Sequence, residues 1–204
     1  MRYVPNALTT LRMMLTPLWL VLLYSALYNP STLHFLRALL MLFMLGATDY
    51  ADGAIAKMRN GRYKSNWGAK WDPIADKFLF WLSAIVTWHW MITQAGVAPS
   101  ELEVVLCVML SAVTGVLVCA HVQLDIISTK LRSSGESAKQ LGRIKFAVDL
   151  LTILLALTVA WGTNQNNQAV VLGYVLITAS LGVAVWLART NVNNRREVQC
   201  LATS

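Results

Sequence analysis

Apolar stretches about as long as a bilayer is thick recur along the whole chain, and they limit the folds open to it. A helix needs about 20 mostly apolar residues to cross the hydrocarbon core of a membrane. Six stretches approach or exceed that length, with approximate bounds 7–28, 34–56, 68–93, 101–123, 141–162 and 167–188. Hydrophobic residues make up 56% of the chain and charged residues only 13%, about half the charged share of a soluble domain. The sequence therefore predicts a polytopic membrane protein.

The six stretches are predicted to be helices. Strands of a membrane barrel alternate apolar and polar residues, whereas a stretch such as 18–23 is apolar on every side. We expect an all-α protein of six transmembrane helices in one membrane domain, residues 1–204, with residues 189–204 as a cytoplasmic tail. Cys107, Cys119 and Cys200 are few, odd in number and without metal-ligand spacing, so we expect free thiols.

Positive charge is confined to one set of connections. Lys and Arg lie between the second and third spans, between the fourth and fifth, and in the tail, while the other three connections contain none. The positive-inside rule then places both termini and both basic loops in the cytoplasm, and we expect a bacterial inner membrane. The net charge of +7 suits lipid headgroups or phosphorylated substrates, whereas nucleic acid is a less economical partner. Trp88 and Trp90, near an outer span end, are expected to be interfacial anchors.

Four carboxylates lie at or just inside the membrane boundary: Asp49 and Asp52 in the second span, Asp72 and Asp76 in the third. An Asp at mid-span costs about 2.5–3.5 kcal/mol, and less near the headgroups. Within each pair the spacing of three or four residues places both side chains on one helix face. Pro73 predicts either a helix start or a kink at Asp72, and both keep Asp72 close to Asp76.

These acids predict a site for hard divalent cations. Carboxylate oxygens suit magnesium or manganese, and no His or Cys joins the cluster. Two ions about 3.5–4 Å apart brace a phosphorus centre during an in-line displacement. Gly53 allows a ligand close to the backbone, and Lys57 is placed to meet phosphate. The alternative is that the acids form interfacial salt bridges with Lys57, Lys70 and Lys77.

The run Asp49-x-x-Asp52-Gly53-x-x-Ala56-Lys57, followed by Gly68-x-x-x-Asp72-x-x-x-Asp76, resembles the motif of the CDP-alcohol phosphatidyltransferases. The resemblance implies a six-helix membrane enzyme, commonly a homodimer. Such an enzyme transfers a phosphatidyl group from a CDP-linked lipid, such as CDP-diacylglycerol, to an alcohol and releases CMP. It uses two Mg²⁺ or Mn²⁺ ions.

By position, the resemblance assigns roles to the motif residues. Asp49, Asp52 and Asp72 would bind the metal ions, while Asp76 would contribute to metal binding and take the proton from the acceptor hydroxyl. The CDP site would be lined by Gly53, Lys57, Ser65 and Gly68. Lys57 stands where the family has Arg, and the stretch from Lys57 to Gly68 is longer than usual, so an inactive relative is an alternative.

Two further runs resemble phosphatidylglycerophosphate synthases. They are Pro5-Asn6-Ala7-Leu8-Thr9-Thr10-Leu11-Arg12 and Gly142-Arg143-Ile144-Lys145. This resemblance implies glycerol 3-phosphate as the acceptor. Asn6 and Thr9 either hydrogen-bond the cytidine or cap the first helix.

A second basic cluster suits an acceptor that carries phosphate. It comprises Arg132, Lys139, Arg143 and Lys145. One alternative is ordinary positive-inside bias. Another applies to Lys145, which would leave the acceptor site if it paired with Asp149, one turn away.

Other functions are weighed against these predictions. Within the class, the acceptor could be inositol phosphate, or phosphatidylglycerol, which would not need the second basic cluster. From a different class, a divalent-cation transporter would also place acids in helices. A transporter predicts acids near mid-bilayer in several spans, whereas these acids cluster at one predicted edge.

Overall fold

The computed structural model of the chain consists of long helices joined by short connections. It describes residues 4–58, 66–98, 100–130, 136–165 and 170–203, and within these ranges the side chains of residues 10–48, 77–96, 98, 100–128, 144–163, 170–197 and 200. The helices are α1 Val4–Tyr28, α2 Thr32–Met58, α3 Asn66–Gln94, α4 Glu101–Lys130, α5 Glu136–Gln165 and α6 Val170–Thr203, with a short 3₁₀ helix Ala95–Val97 after α3. The described residues confirm the all-α prediction.

The helix bounds agree with the predicted spans to within about three residues, except at the end of α4 (Lys130), the start of α5 (Glu136) and the end of α6. The last helix, α6, continues to Thr203, so the segment predicted as a tail is largely helical. The third helix, α3, begins at Asn66 and runs through Pro73, which excludes a helix start at Asp72. A proline at the eighth residue of a helix lacks the N–H that would bond the carbonyl four residues earlier, so a kink at this point is the prediction that remains.

Four helices are long and apolar enough to cross a membrane, judged on the described residues. The segments are Thr10–Tyr28, Glu101–Ser128, Ile144–Thr163 and Val170–Glu197. In α2 the side chains are described only as far as Thr48, and the apolar segment Thr32–Thr48 lies within that part. Tryptophans and His89 lower the hydropathy of the described part of α3. Six membrane-spanning helices therefore stay a prediction.

The surfaces of the long helices carry many large apolar side chains. Phe43 is 73% exposed, Leu102 70% and Trp186 64%. Exposed apolar area on this scale is typical of surfaces that contact lipid or another protein. It agrees with the membrane location indicated by helix length and composition.

Serine side chains mark the starts of two helices. At α2, the Ser31 hydroxyl accepts a hydrogen bond from the His34 backbone N–H at 3.2 Å. At α4, Ser100 accepts one from the Glu103 N–H at 3.3 Å and donates to the Glu103 carboxylate at 2.9 Å. Each bond satisfies one of the backbone donors that a helix start leaves without a partner.

The chain divides into two compact units, and the first comprises Met1–Val86. In this unit α1 packs against α2, with Trp19, Leu23 and Leu27 of α1 fully or almost fully buried. The Trp19 indole N–H donates to the Ser83 hydroxyl at 2.8 Å, which links α1 to α3. The described core of this unit is mainly apolar.

The second unit comprises Thr87–Ser204, and in it α6 packs against both α4 and α5. The predicted interfacial role of Trp90 is wrong, because this side chain is only 2% exposed and its ring lies 6.1 Å from that of Tyr174. Trp88 is half-buried and donates its indole N–H to the Ser111 carbonyl at 2.8 Å. Both rings are used to pack α3 onto its neighbours.

Candidate functional site

The two pairs of motif acids lie in consecutive helices. Asp49 and Asp52 belong to the last turns of α2, while Asp72 and Asp76 belong to the first turns of α3. Both helices are continuous over these positions, so the helical spacing on which the prediction of a shared face depends is present. Their side chains lie outside the described residues, so their role as metal ligands stays a prediction.

The side chains of the predicted CDP-binding residues are likewise not described, so their role also stays a prediction. Gly53 and Lys57 lie on α2 and Gly68 on α3, while Ser65 lies outside the described residues. A different set, Asn6 and Thr9, lies inside α1, which already includes Val4. An N-cap precedes the first helical residue, so neither residue caps α1, and cytidine binding is the prediction that remains for them.

The donor set of the motif suits a hard cation. Four carboxylates supply only oxygen ligands, which magnesium and manganese prefer and zinc or copper does not. Among the side chains that the structure describes, no group of three or more His, Cys, Asp or Glu residues is arranged to hold a metal ion. The motif acids, whose side chains are not described, stay the predicted metal ligands.

Of the four residues in the second basic cluster, the structure describes the side chain of Lys145 alone. Arg132 lies outside the described residues, and Lys139 and Arg143 lie on α5 with side chains that are not described. The Lys145 side chain is 11% exposed and lies between two acids. Its Nζ is 2.9 Å from Asp125 Oδ1 of α4 and 3.1 Å from Asp149 Oδ2 of α5.

The pairing of Lys145 with Asp149, weighed as an alternative to acceptor binding, is thus present. Asp125 adds a second carboxylate, which lies on a different helix and which the sequence spacing does not connect with Lys145. Two carboxylates balance the ammonium charge of Lys145, so Arg132, Lys139 and Arg143 are the residues for which binding of acceptor phosphate stays the prediction.

A histidine completes this buried cluster. His121 is 1% exposed, and its Nε2 lies 3.4 Å from Asp125 Oδ2 and 3.7 Å from Asp149 Oδ1. We call His121, Asp125, Lys145 and Asp149 the ionic cluster. A carboxylate taken out of water needs a counter-charge and hydrogen bonds, and removal of one partner leaves an uncompensated charge. The cluster therefore holds α4 and α5 together.

The sequence contains a partial signal for the ionic cluster. His121 and Asp125 are four residues apart on α4, and Lys145 and Asp149 are four apart on α5. Such spacing places each pair on one helix face. It does not show that the two faces meet, because helix rotation and packing depend on all the surrounding side chains.

A second polar link joins α4 to α6. The Arg195 guanidinium donates from Nη1 to the Ser128 carbonyl at 2.8 Å and from Nε to Asn191 Oδ1 at 3.1 Å. Ser128 and Asn191 are both buried, while Arg195 is half-buried. From the sequence, Arg195 is predicted only to add to the positive charge of the tail.

Comparison with known sequences identifies the family. Residues 2–186 match the sequence profile of CDP-alcohol phosphatidyltransferases. The chain belongs to the CDP-alcohol phosphatidyltransferase family. This confirms the resemblance found in the motif, and all four motif acids lie within the matched region.

One curated relative of this family member is CDP-diacylglycerol--glycerol-3-phosphate 3-phosphatidyltransferase of Rickettsia typhi (strain ATCC VR-144 / Wilmington). The two sequences are 39% identical over 79 residues, which is 39% of this chain and 41% of the relative. The match thus spans less than half of the relative's length. No solved structure matches the chain.

Proposed function

We propose that the chain transfers a phosphatidyl group from CDP-diacylglycerol to a hydroxyl of glycerol 3-phosphate and releases CMP. The observation that carries this proposal is the position of the motif acids, two in α2 and two in α3, inside the region that matches the family. The name of the curated relative, which includes both substrates, supports this choice of acceptor.

The proposed setting is a bacterial inner membrane crossed by all six helices. Both termini and the site face the cytoplasm, and the protein is a homodimer, as the family resemblance implies. The four long apolar helices support insertion, and the basic connections support the orientation. The substrates are CDP-diacylglycerol, which is held in the membrane, and a small phosphorylated alcohol from the cytoplasm.

Two Mg²⁺ or Mn²⁺ ions are proposed as cofactors, with Asp49, Asp52, Asp72 and Asp76 as ligands. When bound, the ions would neutralise the charge that develops on the diphosphate. Oxygen-only ligands support this choice over softer metals. Lys57 adds a positive charge for the same diphosphate, as a point charge without the planar fork of Arg.

The proposed reaction is a single displacement. The acceptor oxygen forms a bond to the lipid-side phosphorus, the bond between that phosphorus and the CMP oxygen breaks, and the hydroxyl proton passes to Asp76. Gly53 and Gly68 let the nucleotide approach the helix backbones, and Ser65 lines the same site. Asn6 and Thr9 hydrogen-bond the cytidine.

Acceptor phosphate is proposed to bind Arg132, Lys139 and Arg143. Arg143 lies two residues before Lys145 on α5. Lys145, which is paired with two acids, contributes mainly by holding α5 in place. Guanidinium groups suit this role because they bind phosphate oxygens in pairs.

The proposal is tested by CMP release from CDP-diacylglycerol. The purified full chain in detergent is incubated with Mg²⁺ and, in separate reactions, radiolabelled glycerol 3-phosphate, inositol phosphate or phosphatidylglycerol. We expect metal-dependent CMP release and a labelled lipid with glycerol 3-phosphate. Asp72→Asn should raise the required Mg²⁺ concentration by more than the roughly hundredfold that loss of an outer-shell partner can cost.

The other outcomes distinguish the alternatives. A labelled product with inositol phosphate or phosphatidylglycerol instead would keep the reaction and change the acceptor. No metal-dependent CMP release with any acceptor would contradict the proposed activity and favour an inactive relative. Mg²⁺ uptake by vesicles that contain the protein, without CMP release, would favour transport.

A further inference from the structure

The C-terminal turn of α4 is held by a side chain from α6. Ser128 lies two residues before Lys130, the last residue of α4 that the structure describes. The Arg195 guanidinium donates to the Ser128 carbonyl at 2.8 Å.

Arg195 is itself fixed in direction. Its Nε donates to the side chain of Asn191, one turn earlier on α6 and only 4% exposed. Two bonds from different nitrogens of a planar guanidinium leave the group little freedom to rotate. We call Ser128, Asn191 and Arg195 the α4–α6 clasp.

The α4–α6 clasp and the ionic cluster act on the same part of α4. Ser128 lies three residues after Asp125, and Asp125 binds Lys145 of α5. This part of α4 is therefore tied to α6 through Arg195 and to α5 through Lys145. Any shift of the α4 end moves Asp125 and, with it, the part of α5 that precedes and includes Lys145.

We propose that Arg195 is a positioning residue for the acceptor site. It fixes the end of α4 and, through Asp125 and Lys145, the part of α5 that carries Arg143. This inference rests on the proposed function, in which Arg143 binds the acceptor phosphate. Arg195 lies beyond residue 186, where the family match ends, so family membership assigns it no role.

The first experiment measures steady-state kinetics of full-length variants. Arg195→Ala should raise KM for glycerol 3-phosphate about tenfold, with kcat and KM for CDP-diacylglycerol within about twofold of wild type. Arg195→Lys keeps one donor and the charge and should recover most of the loss. Arg196→Ala, which removes the same charge from an exposed neighbour, is the matched control and should change neither KM.

An unchanged KM for glycerol 3-phosphate in Arg195→Ala would overturn the proposal. So would a parallel loss in kcat and in both KM values, because that result indicates general damage to the fold. The same effect in Arg196→Ala would also overturn it, since it would show dependence on tail charge rather than on the clasp.

A second experiment tests the clasp without activity. Hydrogen exchange of backbone amides in peptides that cover residues 121–130 should be about tenfold faster in Arg195→Ala than in Arg196→Ala. Equal exchange in the two variants would overturn the clasp even if wild type is active. Faster exchange together with a wild-type protein that releases no CMP would contradict the proposed function and its acceptor site but support the clasp.

Discussion

The acids of the first unit belong to a sequence motif, whereas two acids of the second unit belong to a buried ionic cluster. In the first unit, Asp49 and Asp52 on α2 and Asp72 and Asp76 on α3 follow a family motif. In the second, Asp125 and Asp149 share Lys145 inside the protein. The two sets of acids therefore differ in role. The first set is proposed to bind ions and substrate, while the second balances the charge of a lysine and links two helices.

This difference predicts opposite results when each set is changed. Removal of a motif acid should reduce activity without loss of stability, because acids close together repel one another until a cation binds. Removal of a member of the ionic cluster should reduce stability first. The predictions below test this contrast.

Asp76→Asn is expected to have the largest effect. Loss of the proposed base should lower kcat for CMP release by about 10²–10⁴-fold, which is the usual contribution of general base catalysis. Its melting temperature in detergent should equal that of wild type or exceed it. Glu197→Gln, which neutralises an exposed carboxylate on α6, is the control and should keep wild-type activity. An active Asp76→Asn would remove Asp76 from the reaction.

Lys145→Met should mainly affect stability. It leaves Asp125 and Asp149 buried without their ammonium partner, and loss of one member of a buried ion pair costs about 3–5 kcal/mol. Thermal unfolding in detergent would measure the change, with Arg189→Met at an exposed position as the control. Adding Asp125→Leu and Asp149→Leu should restore most of the stability, because an apolar replacement leaves no buried charge. A fully stable Lys145→Met would contradict the structural role of the cluster.

Gly115→Ala tests close packing in the second unit. A Cβ at this position would lie 2.7 Å from the Trp88 indole, whose N–H is bonded to the Ser111 carbonyl. Displacing this ring should cost about 1–3 kcal/mol of stability. Gly182→Ala meets no atom within 4 Å and should instead stabilise α6 by about 0.5–1 kcal/mol. The difference between their melting temperatures tests the close approach directly.

Trp19→Phe should have the smallest effect of the four. It removes the indole donor to Ser83, whose hydroxyl still donates to the Leu79 carbonyl at 2.7 Å. The loss of one neutral hydrogen bond costs about 1 kcal/mol. Trp186→Phe, at a 64% exposed position, is the control for the change from indole to phenyl outside the core. Equal melting temperatures for the two variants would mean that the α1–α3 bond adds little to the first unit.

Helix content and position were predictable from the sequence because both follow from local patterns. Apolar runs such as 7–28 give the helices of a membrane protein to within a few residues at most ends. The family was equally accessible, because the acids, Gly53 and Gly68 recur at intervals set by the helical repeat. The length of α6 was missed, since its last turns are polar and hydropathy alone ends the helix near residue 188.

The surroundings of single side chains were less predictable from the sequence. Trp90 is a residue type that often anchors helices at the membrane interface, yet it is buried against Tyr174. Lys145 is a residue type that often binds phosphate, yet it pairs with acids from two helices. Both outcomes depend on which helix faces pack together, and this is not a property of one helix.

The sequence by itself determined that this chain is a helical, membrane-type member of the CDP-alcohol phosphatidyltransferase family. This was possible because hydropathy and motif spacing are properties of single helices and do not depend on how the helices pack. The partners of the polar side chains were decided only by the tertiary structure. Asp125 meets Lys145, and Ser128 meets Arg195, across 20 and 67 residues of chain. Such contacts arise from the packing of whole helices, in which each buried charge must find a partner.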